Sequence, residues 1–542
     1  MGCTLAEVVR EHARTRPGAP AISWGELTCS FAELDTRSSQ VANALVAAGV
    51  RPGSRVAFLG KNSPAFFEVA FGCSKAGAVV VGLNRRLAAA EIAAIASDAD
   101  LAVLFVGPEQ LPLVPPDLDG CTTVVLDEHY DQWLLGASGT DPGVVSGPAD
   151  VVLQLYSSGT TGQPKGAMIT NANLAYTVRM AAGAWSMGPD SVNLVPSPLF
   201  HIGGAGYGLT AMSQGGHTIL PLDSAPAGLL ATIERHGVTH AFLVPAVIQS
   251  LVDAPEVGST DLSTLELIGY GAAPMTEALL LRSIAALGCR FLGVYGMTET
   301  SGTVVVLAPE DHDPGGPRAH LLRSVGRPLP WVELAINDAA TGAAMPVGEV
   351  GEIWVRCGQN MPGYWHQLET TAQALVGDGW LRTGDSAHLD AEGYLFLHDR
   401  IKDMIISGGE NVYPAEVENV LADHPAVQDV AVIAVPHERW GETVKAVVVL
   451  RAGAVPADGE LLAFARTRLA RYKCPTSLEY VDALPRNASG KVLKKDLRAR
   501  YAVPAPRAAR PCSRWSVAGR STGSTASTRR SASRSSRRST TC

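Results

Sequence analysis

Between two short apolar segments, Leu153 to Tyr156 and Ala167 to Ile169, the chain reads SSGTTGQPKG from Ser157 to Gly166. This composition suits a polyphosphate. Gly159, Gly162 and Gly166 remove side-chain bulk so that backbone N–H groups can approach anionic oxygens, and Ser157, Ser158, Thr160 and Thr161 add hydroxyl donors. Lys165 supplies a positive charge. The stretch is not a Walker A loop, which places Gly-Lys-Ser/Thr at the start of a helix. Here Pro164 precedes Lys165 and a second strand is expected to follow. On these residues alone, an ordinary polar surface loop remains open as the alternative.

Strands must present such a loop. Arg51-Pro52-Gly53 reads as a turn into a strand at Arg55 to Leu59, after which Ser63 is expected to cap a helix with Pro64 at its first position. A strand near Ala78 to Gly82, an Ala-rich helix over Ala88 to Ser97 and a strand at Leu101 to Val106 continue the alternation and predict a parallel sheet. Asp127 to Asp150, rich in Gly, Ser, Pro and acid, reads as a surface connection. Further strands are expected at Val151 to Leu155, Val192 to Val195, Thr218 to Leu220, Ala241 to Val244, Glu266 to Tyr270 and Phe291 to Val294. The polar loops SSGTTG, PLFH (ending at His201), GAAP (Gly271 to Pro274) and YGMTE (Tyr295 to Glu299) each follow one of these. In open α/β sheets, ligands bind outside the carboxyl ends of the strands.

Near Val325 the pattern shifts to short alternating segments, Val332 to Ile336 and Glu352 to Arg356 among them, as in a small β-barrel or distorted sheet. After Arg400 a smaller unit is expected, with helices over Pro414 to Asp423 and Asp458 to Leu469 and strands at Val430 to Val435 and Lys445 to Leu450. The fold class is therefore α/β. Doubly wound sheets and a barrel-like part (about 325–399) form a large N-terminal domain at 1–399, a smaller α+β C-terminal domain follows at 400–500, and an Arg/Ser-rich tail at 501–542 cannot bury enough surface to fold.

Composition narrows the function. The 542 residues are 46% hydrophobic and 18% charged, which describes a large buried core. Net charge is −8, but the tail holds nine Arg and no acid, so the preceding residues carry −17. An acidic body argues against a nucleic-acid surface there, and no nucleic-acid partner is expected. The nine Cys form no CxxC pair or Cys/His cluster, which argues against a zinc site or disulfide framework and fits a reducing cytoplasm. No run of about 18 apolar residues predicts a membrane span, although peripheral membrane contact stays open. Nothing in the sequence sets an oligomeric state.

Taken together, SSGTTGQPKG, PLFH, GAAP, YGMTE, RTGD, DRIKD and PRNASGK occur in the order found in the adenylate-forming (AMP-binding) superfamily, and residues 5–500 resemble its acyl-CoA synthetases. That resemblance implies that ATP and a carboxylic acid form an acyl-adenylate, and that CoA then takes the acyl group. Ser158, Gly159, Thr160, Thr161, Gly162 and Lys165 would bind phosphate, Glu299 would bind Mg²⁺ beside Thr298, and Tyr295, Gly271 and Ala272 would flank the adenine. Asp385 would take the ribose hydroxyls and Arg400 a further nucleotide contact. Lys491 would reach the α-phosphate and the substrate carboxylate, and His201 would border the acyl pocket and CoA channel.

Lys402 matches the hinge of a mobile C-terminal domain. Gly408 and Gly409 match the loop beside the pantetheine tunnel, and Lys473 is a candidate for CoA phosphates. Departures from the family pattern, Asn171 for a common His and Asp399 before Arg400, remove no charge that this chemistry needs. The acid is expected to be a medium- or long-chain fatty acid, with Gly203, Gly204 and Gly206 allowing pocket depth. Aryl and sterol-derived acids, another thiol acceptor, and a non-catalytic nucleotide- or acyl-binding protein are the alternatives.

Overall fold

Parallel strands covered on both faces read as unbroken apolar runs. Arg55–Leu59, Val79–Gly82 and Leu101–Val106 are such runs, and all but Ala102 of their residues are buried in the computed structural model. It describes residues 4–115, 118, 120–158, 164–400, 403–407, 410–437, 440–487 and 490–501. These fall in one compact unit, Met1–Ala502.

The three runs belong to a six-stranded sheet ordered Thr122–Val125, Leu101–Val106, Arg55–Leu59, Val79–Gly82, Val151–Ser158 and Pro164–Thr170. Only the last pair is antiparallel, a hairpin that brackets the Ser157 to Gly166 stretch as expected. A nine-stranded sheet carries the other loops. Its six central strands, Arg290–Met297, Leu267–Gly271, His240–Leu243, Val192–Leu194, His217–Leu220 and Pro20–Trp24, are all parallel. The candidate loops therefore rise from two sheets. The helix Pro64–Ala76 is buried along nearly its whole length, and Phe66, Phe67 and Phe71 join it to the main core.

A five-stranded antiparallel sheet follows, built on Glu333–Asn337, Gly351–Arg356, Leu375–Val376, Trp380–Leu389 and Leu395–Arg400. The last sheet, with Val427–His437 and Gly441–Leu450 at its centre, packs on the helices Pro414–Ala422 and Glu460–Arg466 through its own core of Val417, Leu421, Val432, Val448 and Leu461.

Ser63 is the N-cap of the helix Pro64–Ala76 with Pro64 in its first turn, as expected, although the Ser63 side chain makes no capping hydrogen bond and it is the fixed φ of Pro64 that suits the helix start. One local expectation is corrected. The segment from Asp127 to Asp150 is more than a connection. It contains the helix Glu128–Leu134, whose buried Tyr130 donates to Glu68 Oε2 at 2.7 Å.

One clamp fixes the strand that leaves the phosphate loop. Met168 N–H donates to Gly363 O at 3.1 Å and Trp365 N–H to Gly166 O at 2.8 Å, so a distant segment extends the hairpin. The Trp365 indole N–H donates to Asp98 O at 3.0 Å, and the Arg55 guanidinium lies 3.2 Å from its ring centroid. Trp365→Ala should cost about 2–3 kcal/mol in denaturant unfolding and weaken ATP binding, whereas Trp365→Phe should recover most of the stability.

Candidate functional site

Register places three carboxyl ends side by side. Leu243 is the partner of Tyr270, and Gly271 of Val294, so Val244, Gly271 and Tyr295 emerge from adjacent strands. A side chain at Gly271 would meet Val294 O at 2.3 Å, so only glycine lets these strands close. Ala272 then adopts φ 63°, turning the chain out of the sheet. A register shift between Tyr295 and Gly296 re-aims the strand at this point.

The Tyr295 hydroxyl donates to Asp385 Oδ2 at 2.9 Å, which joins two residues that the resemblance assigns to one nucleotide. Each member of RTGD has a task. Arg382 pairs with the buried Glu352 carboxylate at 2.7 Å, and Thr383 Oγ1 donates to Ile353 O at 2.9 Å and accepts from Asp385 N at 3.1 Å. Gly384 turns with φ 71°. Arg400 is the backbone register partner of Asp385.

Thr298 and Glu299 form a single 3-10 turn with Thr300, whose hydroxyl accepts from Met297 N at 3.0 Å and fixes the turn. Glu299 is only 7% exposed. The Tyr364 hydroxyl donates to its Oε1 at 2.8 Å, and Met361 N–H donates to its backbone carbonyl at 2.8 Å. Lys165 Nζ stands 5.2 Å from the Tyr364 ring centroid, so one tyrosine links the cation and the carboxylate of the candidate phosphate site. Sequence reasoning missed Tyr364. Its only signal was an aromatic pair, Tyr364-Trp365, in a segment read as barrel.

Lys491 lies in a tight loop where its N–H donates to Asn487 Oδ1 at 2.8 Å and its carbonyl accepts from Asn487 N at 2.8 Å. Gly490 lies against Val244: a Cβ there would be 3.0 Å from Val244 Cγ2. The Lys491 loop thus meets the same carboxyl edge as Gly271 and Tyr295, and Gln249 adds a hydrogen bond to Gln428 O at 3.0 Å. Lys473 sits elsewhere, with Nζ 2.7 Å from Glu416 Oε1. Burial opposes its charge, but that carboxylate outweighs burial and raises the Lys473 pKa. Gly159, Thr160, Thr161, Gly162, Lys402, Gly408 and Gly409 lie outside the described residues, as do the side chains of Ser158 and Arg400.

His201 opens the helix Ile202–Ser213, its ring 4.6 Å from Phe200. Its Nε2 is buried without a hydrogen-bond partner among the described residues. Burial, with Arg86 nearby, lowers its pKa to about 4, so the ring is a neutral wall at physiological pH. Among the described residues no three His, Cys, Asp or Glu side chains converge on a metal. A lone buried carboxylate fits Mg²⁺, which keeps water and phosphate oxygens as its other ligands.

The tyrosine–aspartate bond, the tyrosine shared by Lys165 and Glu299, and the Lys491 loop thus lie about the carboxyl edge of one α/β sheet. Residues 9–365 match the family described as AMP-binding enzyme, and 416–491 match the AMP-binding enzyme C-terminal domain. The chain belongs to the adenylate-forming enzymes and is an AMP-forming acid–CoA ligase of the acyl-CoA synthetase type.

It is 39% identical over 516 residues to the fatty acid–[acyl-carrier-protein] ligase ScoC of Streptomyces coeruleorubidus, covering 92% of this chain and 96% of that one. It is 41% identical over 499 residues to a feruloyl-CoA synthase of an Amycolatopsis species, covering 90% and 97%. The crystal structure of ATP-bound MatB from Rhodopseudomonas palustris superposes with a TM-score of 0.85 at 31% identity, covering 93% of this chain and 99% of that one. No described helix is long and apolar enough to cross a membrane.

Two outcomes follow from this geometry. Tyr364→Phe removes the donor to Glu299 and should raise KM for ATP at least about fivefold, for a lost charged hydrogen bond of about 1–3 kcal/mol; an unchanged KM would mean that the bond does not organise the site. For His201, the folded value of about 4 lies below the ordinary 6.5, so the unfolded chain binds the extra proton between them. Its stabilising contribution is complete above pH 6.5 and is lost as pH falls towards 4. Unfolding of His201→Asn should therefore show a shallower loss of stability over that window, by at most about 1.4 kcal/mol per pH unit.

Proposed function

We propose that the chain activates a hydrophobic carboxylic acid in two steps at one site. First, a carboxylate oxygen attacks the α-phosphorus of ATP, the bond to the bridging oxygen breaks, and pyrophosphate leaves. The CoA thiol, its proton released to solvent, then attacks the acyl carbonyl carbon, the bond from that carbon to the phosphate oxygen breaks, and AMP leaves. Both steps bring anions together, so local cations and fixed donors must carry the catalysis. Lys165 and Lys491 supply positive charge, with Lys491 compensating the α-phosphate and the substrate carboxylate. Asp385 and Tyr295 hold the nucleoside, and His201 forms an uncharged wall between acid and thiol. Glu299 would hold Mg²⁺, which on binding neutralises phosphate charge.

The observation that supports this most is the Lys491 loop, seated by Gly490 on Val244 next to Gly271 and Tyr295. In the same reading, a boundary near residue 400 with Lys402 as hinge separates a mobile C-terminal domain, and Gly408 and Gly409 flank the pantetheine path once it turns. Work takes place in the cytoplasm, with the acid, ATP and CoA as partners. The acid is a hydrophobic one, of the fatty or aryl class.

Lys491→Ala should cut acyl-adenylate formation by at least about a hundredfold, while thioester formation from supplied acyl-adenylate changes little. Gly409→Leu should do the reverse, since its side chain would obstruct the thiol arm. Equal loss of both half-reactions in folded variants would refute the division of labour between two domain positions.

A further inference from the structure

The sheet face beneath the helix Ile202–Ser213 changes character with depth. Gly271 stands at its carboxyl edge. Two residues further in, Phe242 and Gly269 are register partners, and two beyond that Leu267, His240, Asn193 and Thr218 form one row. Residues two apart on a strand share a face and are about 6.6 Å apart. The indole of Trp185 occupies the space above Gly269, where a Cβ would lie 2.0 Å from its Cη2. It packs 4.9 Å from the Tyr207 ring and 6.3 Å from that of Phe242.

The glycines that suggest depth in the sequence are occupied by protein. A Cβ at Gly203 would meet Phe242 at 2.9 Å, and one at Gly204 would meet Pro198 O at 2.1 Å. Trp185, Tyr207 and Phe242 are only 2%, 6% and 6% exposed, so this layer is filled. The row behind it is polar. His240 Nε2 lies 3.0 Å from Trp185 O, and Asn193 Oδ1 and Thr218 Oγ1 are buried without partners among the described residues.

The filled layer also carries donors. Trp185 Nε1 and Tyr207 Oη are both buried with no hydrogen-bond partner among the described residues, although their rings touch. Buried donors are nearly always satisfied, so two together mark a place for a polar atom from outside the protein. The filled layer at Gly269 begins only about 6.6 Å along the strand from the carboxyl edge at Gly271, which stops a long acyl chain short.

Resting on the ligase reading above, we propose that Trp185, with Tyr207 and Phe242, floors the acyl pocket and selects a short aromatic carboxylic acid. That acid carries a hydrogen-bond acceptor, such as a phenolic oxygen, on the ring end remote from the carboxylate. His201 begins the same helix, and Gly271 borders the Tyr295–Asp385 pair, so a carboxylate directed at the nucleotide sends its ring towards Trp185.

The test measures pyrophosphate release by the full chain with ATP and CoA, using para-hydroxycinnamic, cinnamic, dodecanoic and hexadecanoic acids. The wild-type kcat/KM should favour para-hydroxycinnamate over each of the others by at least about tenfold. Tyr207→Phe should abolish the preference for the hydroxylated acid over cinnamate. Trp185→Ala should raise kcat/KM for dodecanoate at least about tenfold. Trp185→Phe, which keeps a ring and protects the fold, should still reject dodecanoate but lose part of the hydroxyl preference. Wild-type preference for dodecanoate or hexadecanoate would overturn the inference and leave the ligase reading intact. So would an unchanged acid profile in a Trp185 variant that melts like the wild type. Failure of every acid to release pyrophosphate would overturn both.

Discussion

A carboxylate removed from water persists only where something replaces its hydration, and the Tyr364 hydroxyl, 2.8 Å from Glu299 Oε1, is that replacement. The rest of the site depends on this bond. Glu299 sits on a one-turn helix at the end of the strand Arg290–Met297, and Tyr364 sits on the segment that clamps the strand Pro164–Thr170. A donor and acceptor 65 positions apart therefore set the distance between two sheets, and with it the distance between Lys165 and Glu299. Trp365 strengthens the arrangement by reaching Asp98 and stacking under Arg55. If the tyrosine moved, the carboxylate would keep its burial and lose its compensation.

Strands whose whole length is buried were legible in the sequence. Arg55–Leu59 and Leu101–Val106 have the bounds that their apolar runs predict, and Pro64 marks its helix start without help from Ser63. Pairing between distant segments was not legible. Tyr364 and Trp365 acquire their roles from Gly166 and Ala167, almost two hundred positions earlier, and no local pattern encodes that. The packing of the glycines was hidden for the same reason: Gly271 makes way for a neighbouring carbonyl, and Gly203 and Gly204 for Phe242 and Pro198. The residues proposed for the nucleotide rest on motif order, because a lone Glu299 or Asp385 is chemically indistinguishable from a surface acid. Lys473 shows another long-range pairing of this kind, since its partner Glu416 lies 57 positions away.

The acyl side and the nucleotide side are built on opposite principles. Around the site proposed for the nucleotide, polar groups have partners: Tyr295 with Asp385, Thr383 with Ile353, Glu299 with Tyr364. Around the helix Ile202–Ser213, His201 Nε2, Tyr207 Oη and Trp185 Nε1 have none among the described residues. Satisfied networks hold a geometry fixed, whereas unsatisfied donors in a dry layer penalise any ligand that fails to meet them. One site can thereby serve a common chemistry with a particular acid.

The central claim is that an acyl-adenylate forms before the thiol takes part. Exchange of labelled pyrophosphate into ATP measures this directly, because it requires reversal of the first step alone. Exchange should depend on a carboxylic acid, proceed without CoA, and disappear in Glu299→Gln. Exchange that requires CoA, or release of ADP and phosphate in place of AMP and pyrophosphate, would contradict it.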